Sequence, residues 1–336
     1  VVLHILQALT EGFDSKENVS IVVTEYSGIK DYVLPLLIAT TIQSSNVGLN
    51  RVLLHGSILP SSCAIKEICM RIFDLEEALK RDVERVGVDA LRLWLLQKTP
   101  WKNIRYVQYG IENARRDLLK IWNVYKFASK YMRLDRFDPE KHRLESYLET
   151  LSFEDKWVLS KLNSLILNVT EALDKHFTHR ATREIRRFVI NDLSRWYIKL
   201  IKPRILVKGE TKDKLAAYTT LYHVLKTWLT LASPFIPFIA EKIYQEFIRK
   251  AERNSPKSIH LLKWPKAKEE LIDRNVEEEM DIIRETFRAI AAARMKAGIK
   301  FRKTVNEIIV YTDNKKAAET PVSYTHLRAH ETEADL

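Results

Sequence analysis

The sequence predicts a mainly α protein: an antiparallel helical bundle preceded by a small N-terminal α/β remnant. Three observations carry this expectation. From Asp74 onward apolar residues recur at spacings of three and four, the period of a helix with one buried face. Ahead of that point stand two short β-rich runs, Val19 to Thr24 and Arg51 to His55, too few strands for a doubly wound sheet. Glycine is scarce, 8 in 336 residues, and neither a GxGxxG nor a Walker-type loop is present to cradle phosphate.

Residues 1–30 have no firm assignment beyond an apolar stretch at Val1 to Leu9 and the first strand. Lys30 to Ser45 reads as helical, Arg51 to His55 as a buried strand closed by Gly56, and Pro60-Ser61-Ser62 as a break. Asp74 suits an N-cap, with Glu76 and Glu77 in the favourable first turn and Gly87 at the far end. Val88 to Gln97 forms the next helix, and Trp101 to Tyr109 a connection. Asn113 to Arg136 follows as one long helix, turning Leu118, Ile121, Trp122, Tyr125 and Tyr131 inward. Asp138-Pro139 marks a turn, and His142 to Leu151 a linker.

Ser152 to His176 is a helix capped by Ser152 with Asp155 three residues on, its seam formed by Val158, Leu162, Leu165, Ile166, Val169 and Leu173. Arg180 to Arg204 comes next, bent or ended by Pro203. Lys212 to Ala232 and Pro234 to Lys250 complete a bundle of about five helices. Phe235, Ile236, Phe238 and Ile239 are expected in its core. Asn254 to Pro265 reads as a loop with Trp264 tucked against the bundle. Glu277 to Lys296 forms a last helix ending at Gly298, and Asn306 to Tyr311 a strand. No internal repeat is apparent.

Composition narrows the function. Hydrophobic residues make up 46% and charged ones 29%, as in an ordinary globular protein. The formal net charge of +11 favours a polyanionic partner, nucleic acid ahead of a membrane surface. The longest apolar run, Tyr32 to Ile42, is too short to span a bilayer and contains Pro35. No signal segment opens the chain. Cys63 and Cys69 make no disulfide framework and have no partners at zinc spacing. A reduced, cytoplasmic setting is expected.

The stretch from Arg180 to Arg204 carries the chemistry. Ile185, Phe188, Val189, Leu193, Trp196, Tyr197, Leu200 and Ile201 form a buried stripe. Arg180, Arg183, Arg187, Arg195, Lys199 and Lys202 fall on a second row about 33 Å long, comparable with a turn of nucleic-acid duplex. Arg204 completes the set of expected nucleic-acid contacts, opposed only by Glu184 and Asp192. Arginine outnumbers lysine there, which suits bidentate phosphate contacts, although a solvated basic face reads the same way. Trp196 could stack a base, but its phase favours the core, as does that of Tyr197 with its hydroxyl reaching a partner. A second basic cluster, Arg294, Lys296, Lys300, Arg302 and Lys303, equally suits a helix C-terminus. His55, His176, His179 and His223 lack ligand spacing, and Glu277-Glu278-Glu279 reads as a helix N-terminal feature.

Asp192 to Arg204 (DLSRWYIKLIKPR) resembles the isoleucyl-tRNA synthetases of the archaeal and eukaryotic type. Val88 to Leu96, Ile121 to Tyr131, Leu151 to Leu165, Leu231 to Tyr244 and Ala292 to Phe301 match in the same order. The resemblance covers roughly 51–312, and the Arg-Trp-Tyr-Ile and Lys-Ala-Gly-Ile-Lys strings favour the isoleucyl branch over the valyl and leucyl ones. It implies a class I nucleotide-binding remnant at 31–72, a stem-contact helical region at 73–104 and an anticodon-binding bundle at 105–275. A C-terminal junction domain would begin at 276–320. The implied partner is a tRNA, held by its anticodon arm, and the implied cofactors of the complete family are ATP and Mg.

The chain also departs from that pattern. No His-Ile-Gly-His signature precedes Arg51, and the editing domain is missing. The Lys-Met-Ser-Lys-Ser loop should fall on Ile65, Lys66, Glu67, Ile68 and Cys69, where Lys66 alone survives beside a glutamate. That loop offers cations to the phosphates, so no catalytic residue is assigned and no productive ATP binding or amino-acid activation is expected. Pro321 to Thr332 resembles a sequencing-adapter read-through, which makes 321–336 an expected artefactual tail. Two readings follow: the tRNA-binding portion of an isoleucyl-tRNA synthetase, or a catalytically dead paralogue serving as an RNA-binding or helical interaction module.

Overall fold

The computed structural model describes residues 21–25, 51–55, 58–59, 72–300, 303 and 309. Several expectations lie outside them: the 1–9 stretch, the 30–45 helix, Cys63 and Cys69, Lys66 and its loop, most of the 306–311 strand, and the 321–336 tail. The chain divides into two compact units, Val1–Ala114 and Arg115–Leu336.

In the first unit, strands β1 (Ile21–Glu25) and β2 (Arg51–His55) pair in parallel, Ile21 opposite Arg51 and Glu25 opposite His55. Parallel pairing requires a crossover between the strands, the mark of an α/β unit. A second parallel pair joins β3 (Ile58–Leu59) to β4 (Ile104–Arg105), inside what reads as a plain connection. Helix α1 (Ile72–Val86) ends at Gly87, whose φ of 87° suits a residue without Cβ, and α2 (Val88–Leu96) follows. The side chain of α2 residue Trp94 lies so near Gly110 that a Cβ there would come within 2.2 Å of the indole nitrogen.

Helix α3 (Gln108–Leu134) starts five residues before the expected Asn113, because Gln108 to Glu112 continue the same apolar phase through buried Ile111. Leu118, Ile121 and Tyr125 point inward, while Trp122 and Tyr131 are half-buried. The expected linker before α4 is a 3-10 turn, Leu144–Thr150, anchored by buried Leu144 and Tyr147.

Helix α4 (Phe153–Asp174) has the expected capping box, with Asp155 Oδ2 accepting from the Ser152 amide at 3.2 Å. It packs against α5 (Thr178–Arg187), α7 (Lys212–Ala232) and α10 (Arg274–Lys296). Between α5 and α6 (Ile198–Leu206) the helix widens to π geometry over Phe188–Tyr197. Pro203 sits inside α6, just before its end. Helix α8 (Pro237–Ile243) passes through a π turn, Tyr244–Ile248, into α9 (Arg249–Ala251).

The core of this unit is aromatic, with Trp157, Trp228, Tyr197, Tyr218 and Tyr244 fully buried. Of their polar tips, Trp228 Nε1 donates to Ile185 O at 3.0 Å and Tyr244 Oη to Pro256 O at 2.7 Å, whereas the buried Trp157 Nε1 has no hydrogen-bond partner. Phe235 and Ile236 are buried as expected. Phe238 is not: it is 65% exposed, because the turn into α8 places it on the solvent side. Trp264 is tucked in, donating to Thr170 Oγ1 at 2.9 Å. Among the described residues no helix is long and apolar enough to cross a membrane, and no His/Cys/Asp/Glu group could hold a metal ion.

Candidate nucleic-acid interface

The continuous rod from Thr178 to Leu206 presents most of the expected basic row. Arg180, Arg183, Arg187 and Arg195 are exposed, while Lys199 and Lys202 are half-buried. Long cationic side chains of this kind can lay their stems along apolar surface and keep their charged ends in water. Arg180 lays its guanidinium over the Phe177 ring at 4.5 Å, and the two line a cavity of about 390 Å³ with Lys175 and Arg183. Arg187 pairs with Glu184 at 2.8 Å, and Arg195 donates to Asn191 Oδ1 at 3.3 Å.

Behind the row, Ile185, Phe188, Val189, Leu193, Tyr197, Leu200 and Ile201 are buried, as the stripe predicts. The π segment adds what an α-period stripe omits: Phe188, Val189 and Ile190 are three consecutive buried side chains. Wider turns bring more neighbours of the chain onto one face.

Arg204 does not belong to the accessible row. Its side chain is 12% exposed, with Nη1 on Glu154 Oε1 at 2.7 Å and Nη2 2.8 Å from both Asp155 Oδ2 and Asp213 Oδ1. Burial works against its charge, yet the field of Asp155 and Glu154 prevails and pushes its pKa above the ordinary arginine value. The wholly buried Tyr197 completes the cluster, donating to Asp155 Oδ1 at 2.7 Å. Burial first, then Asp155, drives that phenol well above its usual range. Arg204 is therefore a structural clamp between α6 and the start of α4, because desolvated carboxylates there demand a cation.

Trp196 is half-buried rather than core, meeting Phe287 of α10 edge-on at 5.9 Å. Arg284 lies within 5.4 Å of the Trp196 ring and 5.6 Å of Trp157, and its Nη1 holds the buried Asp192 Oδ1 at 2.7 Å. Burial raises the Asp192 pKa, and Arg284 pulls it back. One of the two acids expected to oppose the basic row thus faces α10 instead.

His179 is buried below the row, and burial lowers its pKa, with Arg183 and Arg180 acting in the same direction. Of the second cluster, Arg294 folds back to the Lys300 carbonyl at 2.9 Å and to that of Lys303, a helix C-terminal contact; Arg302 lies outside the described residues. Glu277 is a buried anchor, accepting from Ser160 at 2.6 Å and Ser164 at 2.9 Å. Sequence reasoning missed the outer face of α3. Arg115, Arg116, Lys126 and Lys130 are exposed there, with Lys126 Nζ 5.2 Å from the Trp122 ring and Lys130 Nζ 5.4 Å from Tyr131. The i,i+4 pair Lys126 and Lys130 beside aromatic residues was the available signal.

Residues 155–310 match the model of the anticodon-binding domain of tRNA ligase. The isoleucine–tRNA ligase of Methanothermobacter marburgensis is 42% identical over 288 residues, covering 84% of this chain and 27% of that protein. That of Pyrococcus abyssi is also 42% identical over 288 residues, covering 84% of this chain and 26% of the relative. The chain thus spans about a quarter of the length of the curated relatives it matches. In fold it is similar to the LeuRS of Agrobacterium radiobacter K84, solved in a ternary LeuRS–tRNA–LeuAMS complex. There the TM-score is 0.54 at 14% identity, over 76% of this chain and 29% of that one. Helical bundle, domain match and sequence identity agree, and the chain belongs to the isoleucine–tRNA ligase family, as a part that carries the anticodon-binding domain.

Proposed function

We propose that this chain is the tRNA-docking portion of an isoleucine–tRNA ligase. In this reading the anticodon arm is held by Arg180, Arg183, Arg187, Arg195, Lys199 and Lys202. The observation that carries it is the accessible cationic row on one rod, braced from behind by an apolar stripe. Phosphate contacts of this kind position an RNA and are salt-dependent, whereas base contacts confer identity. Residues 31–72 are assigned to the nucleotide-binding remnant, 73–104 to the stem-contact region, 105–275 to the anticodon-binding bundle and 276–320 to the start of the junction domain. Attachment of isoleucine with ATP and Mg, in the cytoplasm, is proposed for the complete ligase. For this chain no catalytic residue is proposed.

Filter binding of an isoleucine tRNA transcript across a salt series tests the reading. Each phosphate contact contributes about 0.7–0.9 to the slope of log K against log salt. Reversing Arg183, Arg187 and Arg195 to Glu together should flatten that slope by about two or more and weaken binding at least a hundredfold. Affinity indifferent to salt, to these reversals and to deletion of the anticodon loop refutes the assignment.

A further inference from the structure

The end of α3 forms a second recess, on residues that the proposed row does not use. Its volume is about 280 Å³, just below the 300–1,000 Å³ typical of drug-sized ligands and on the scale of a single planar base. The floor is apolar and aromatic: buried Met132, Tyr222 and Phe247, with half-buried Phe137 at the mouth. The rings are fixed against one another, Phe137 to Tyr222 at 6.4 Å and Tyr222 to Phe247 at 5.4 Å.

Three exposed cations, Arg133, Arg136 and Lys250, stand on the rim. The one acid that lines the recess, Glu246, is already engaged by Tyr125 Oη at 2.8 Å and Lys242 Nζ at 3.0 Å. Arg133 spends one nitrogen on the Glu246 carbonyl at 3.0 Å. Among the described residues, Arg136 and Lys250 have no ion pair.

Arg136 is also held in an unfavourable conformation. Its φ is 54°, at the residue that follows the last turn of α3. Phe137 N donates back to Met132 O at 2.8 Å there, closing the helix in the way that normally selects glycine. An arginine at this position accepts backbone strain that glycine would not, and such outliers concentrate where a side chain is needed for binding. A helix C-terminus attracts cations in its last turn, which accounts for Arg133 but does not call for an arginine in the left-handed position beyond it.

We propose that this corner binds one unstacked nucleotide of an RNA strand. Its base would lie against Phe137 over the aromatic floor, and its phosphate between Arg136 and Lys250. The inference rests on the tRNA-docking reading and adds a nucleotide subsite to it. Stacking on an aromatic ring with a nearby guanidinium is the usual way a protein holds a base freed from its helix.

The test uses the whole chain and an isoleucine tRNA transcript, with urea unfolding run in parallel. The double variant Arg136→Gly/Lys250→Ala should bind about tenfold more weakly or worse, and its salt slope should fall by about 1.4–1.8 for two lost phosphate contacts. Arg136→Gly alone should raise the unfolding midpoint, since glycine relieves the strain, so that weaker binding cannot be charged to misfolding. Phe137→Leu should lower affinity with an unchanged salt slope, and ultraviolet crosslinking should map to Phe137. A chain that never binds the transcript removes the docking reading and this one with it. Normal binding with affinity and slope unmoved in the double variant overturns this subsite alone. AMP binding that Arg136→Gly abolishes, with transcript affinity untouched, overturns it in favour of a free mononucleotide site.

Discussion

Replacing Arg204 with methionine should cost the second unit about 4 kcal/mol at neutral pH, within the 3–5 kcal/mol range for removing one partner from a buried ion cluster. The magnitude comes from what the methionine leaves behind. Glu154 and Asp155 have side chains 6% and 0% exposed, and both would lose their cation while remaining desolvated. Asp213, 53% exposed, is screened by water and adds little. Urea unfolding followed by tryptophan emission measures the change, with Arg187→Met as the control. That residue pairs with Glu184 at the surface, side chains 61% and 30% exposed, and its loss should cost no more than about 0.5 kcal/mol. Burial already pushes the Glu154 carboxyl up against the pull of Arg204, so without Arg204 it should take up its proton more readily still. The deficit should therefore shrink as pH falls and Glu154 protonates, and Glu154→Gln should recover part of it in the same background. A loss below about 1 kcal/mol, or full stability combined with lost tRNA binding, would refute the clamp and return Arg204 to the interface.

Other perturbations probe the same packing. Tyr197→Phe removes the buried hydroxyl from Asp155 and should cost about 2 kcal/mol in urea unfolding, the scale of a hydrogen bond to a charged group. Arg284→Met strands Asp192 between α10 and the π segment; a loss of about 3 kcal/mol and faster amide exchange along Arg274–Lys296 are expected, and Asp192→Asn should restore part of both. Burial, then Lys268, lowers the pKa of His223 to about 4. The unfolded chain therefore takes up that proton first, and stability should fall by about 3 kcal/mol as pH drops from 6.5 to 4. His223→Gln should flatten that part of the pH profile.

Among the described residues, helix existence, order and most boundaries were legible, because a 3.6-residue period in a long bundle is a strong signal and Ser152, Asp155 and Gly87 mark termini chemically. The buried stripe behind the basic row was equally legible. The fate of individual cations was not. Phase tells which way Arg204 leaves its own helix, but its two buried carboxylates stand 49 and 50 residues earlier in the chain. Asp192 was misread for the same reason: its partner, Arg284, is 92 residues away. Phe238 failed differently, since apolar character marks a candidate for the core and only the turn geometry decides its side.

The broadened coil between Phe188 and Tyr197 works as a spacer of adjustable pitch. Its wide turn carries one residue more than an ordinary turn over nearly the same angle, so excising a single residue would let the backbone rewind to the ordinary spiral with everything downstream close to its present phase. Lys199 and Lys202 would keep the side they share with Arg180, and Arg204 its nest of acids. The same excision from an ordinary α turn would swing the downstream part by about 100°, so the wide coil is the one place on this rod where the count of residues and the phase of the cations are uncoupled.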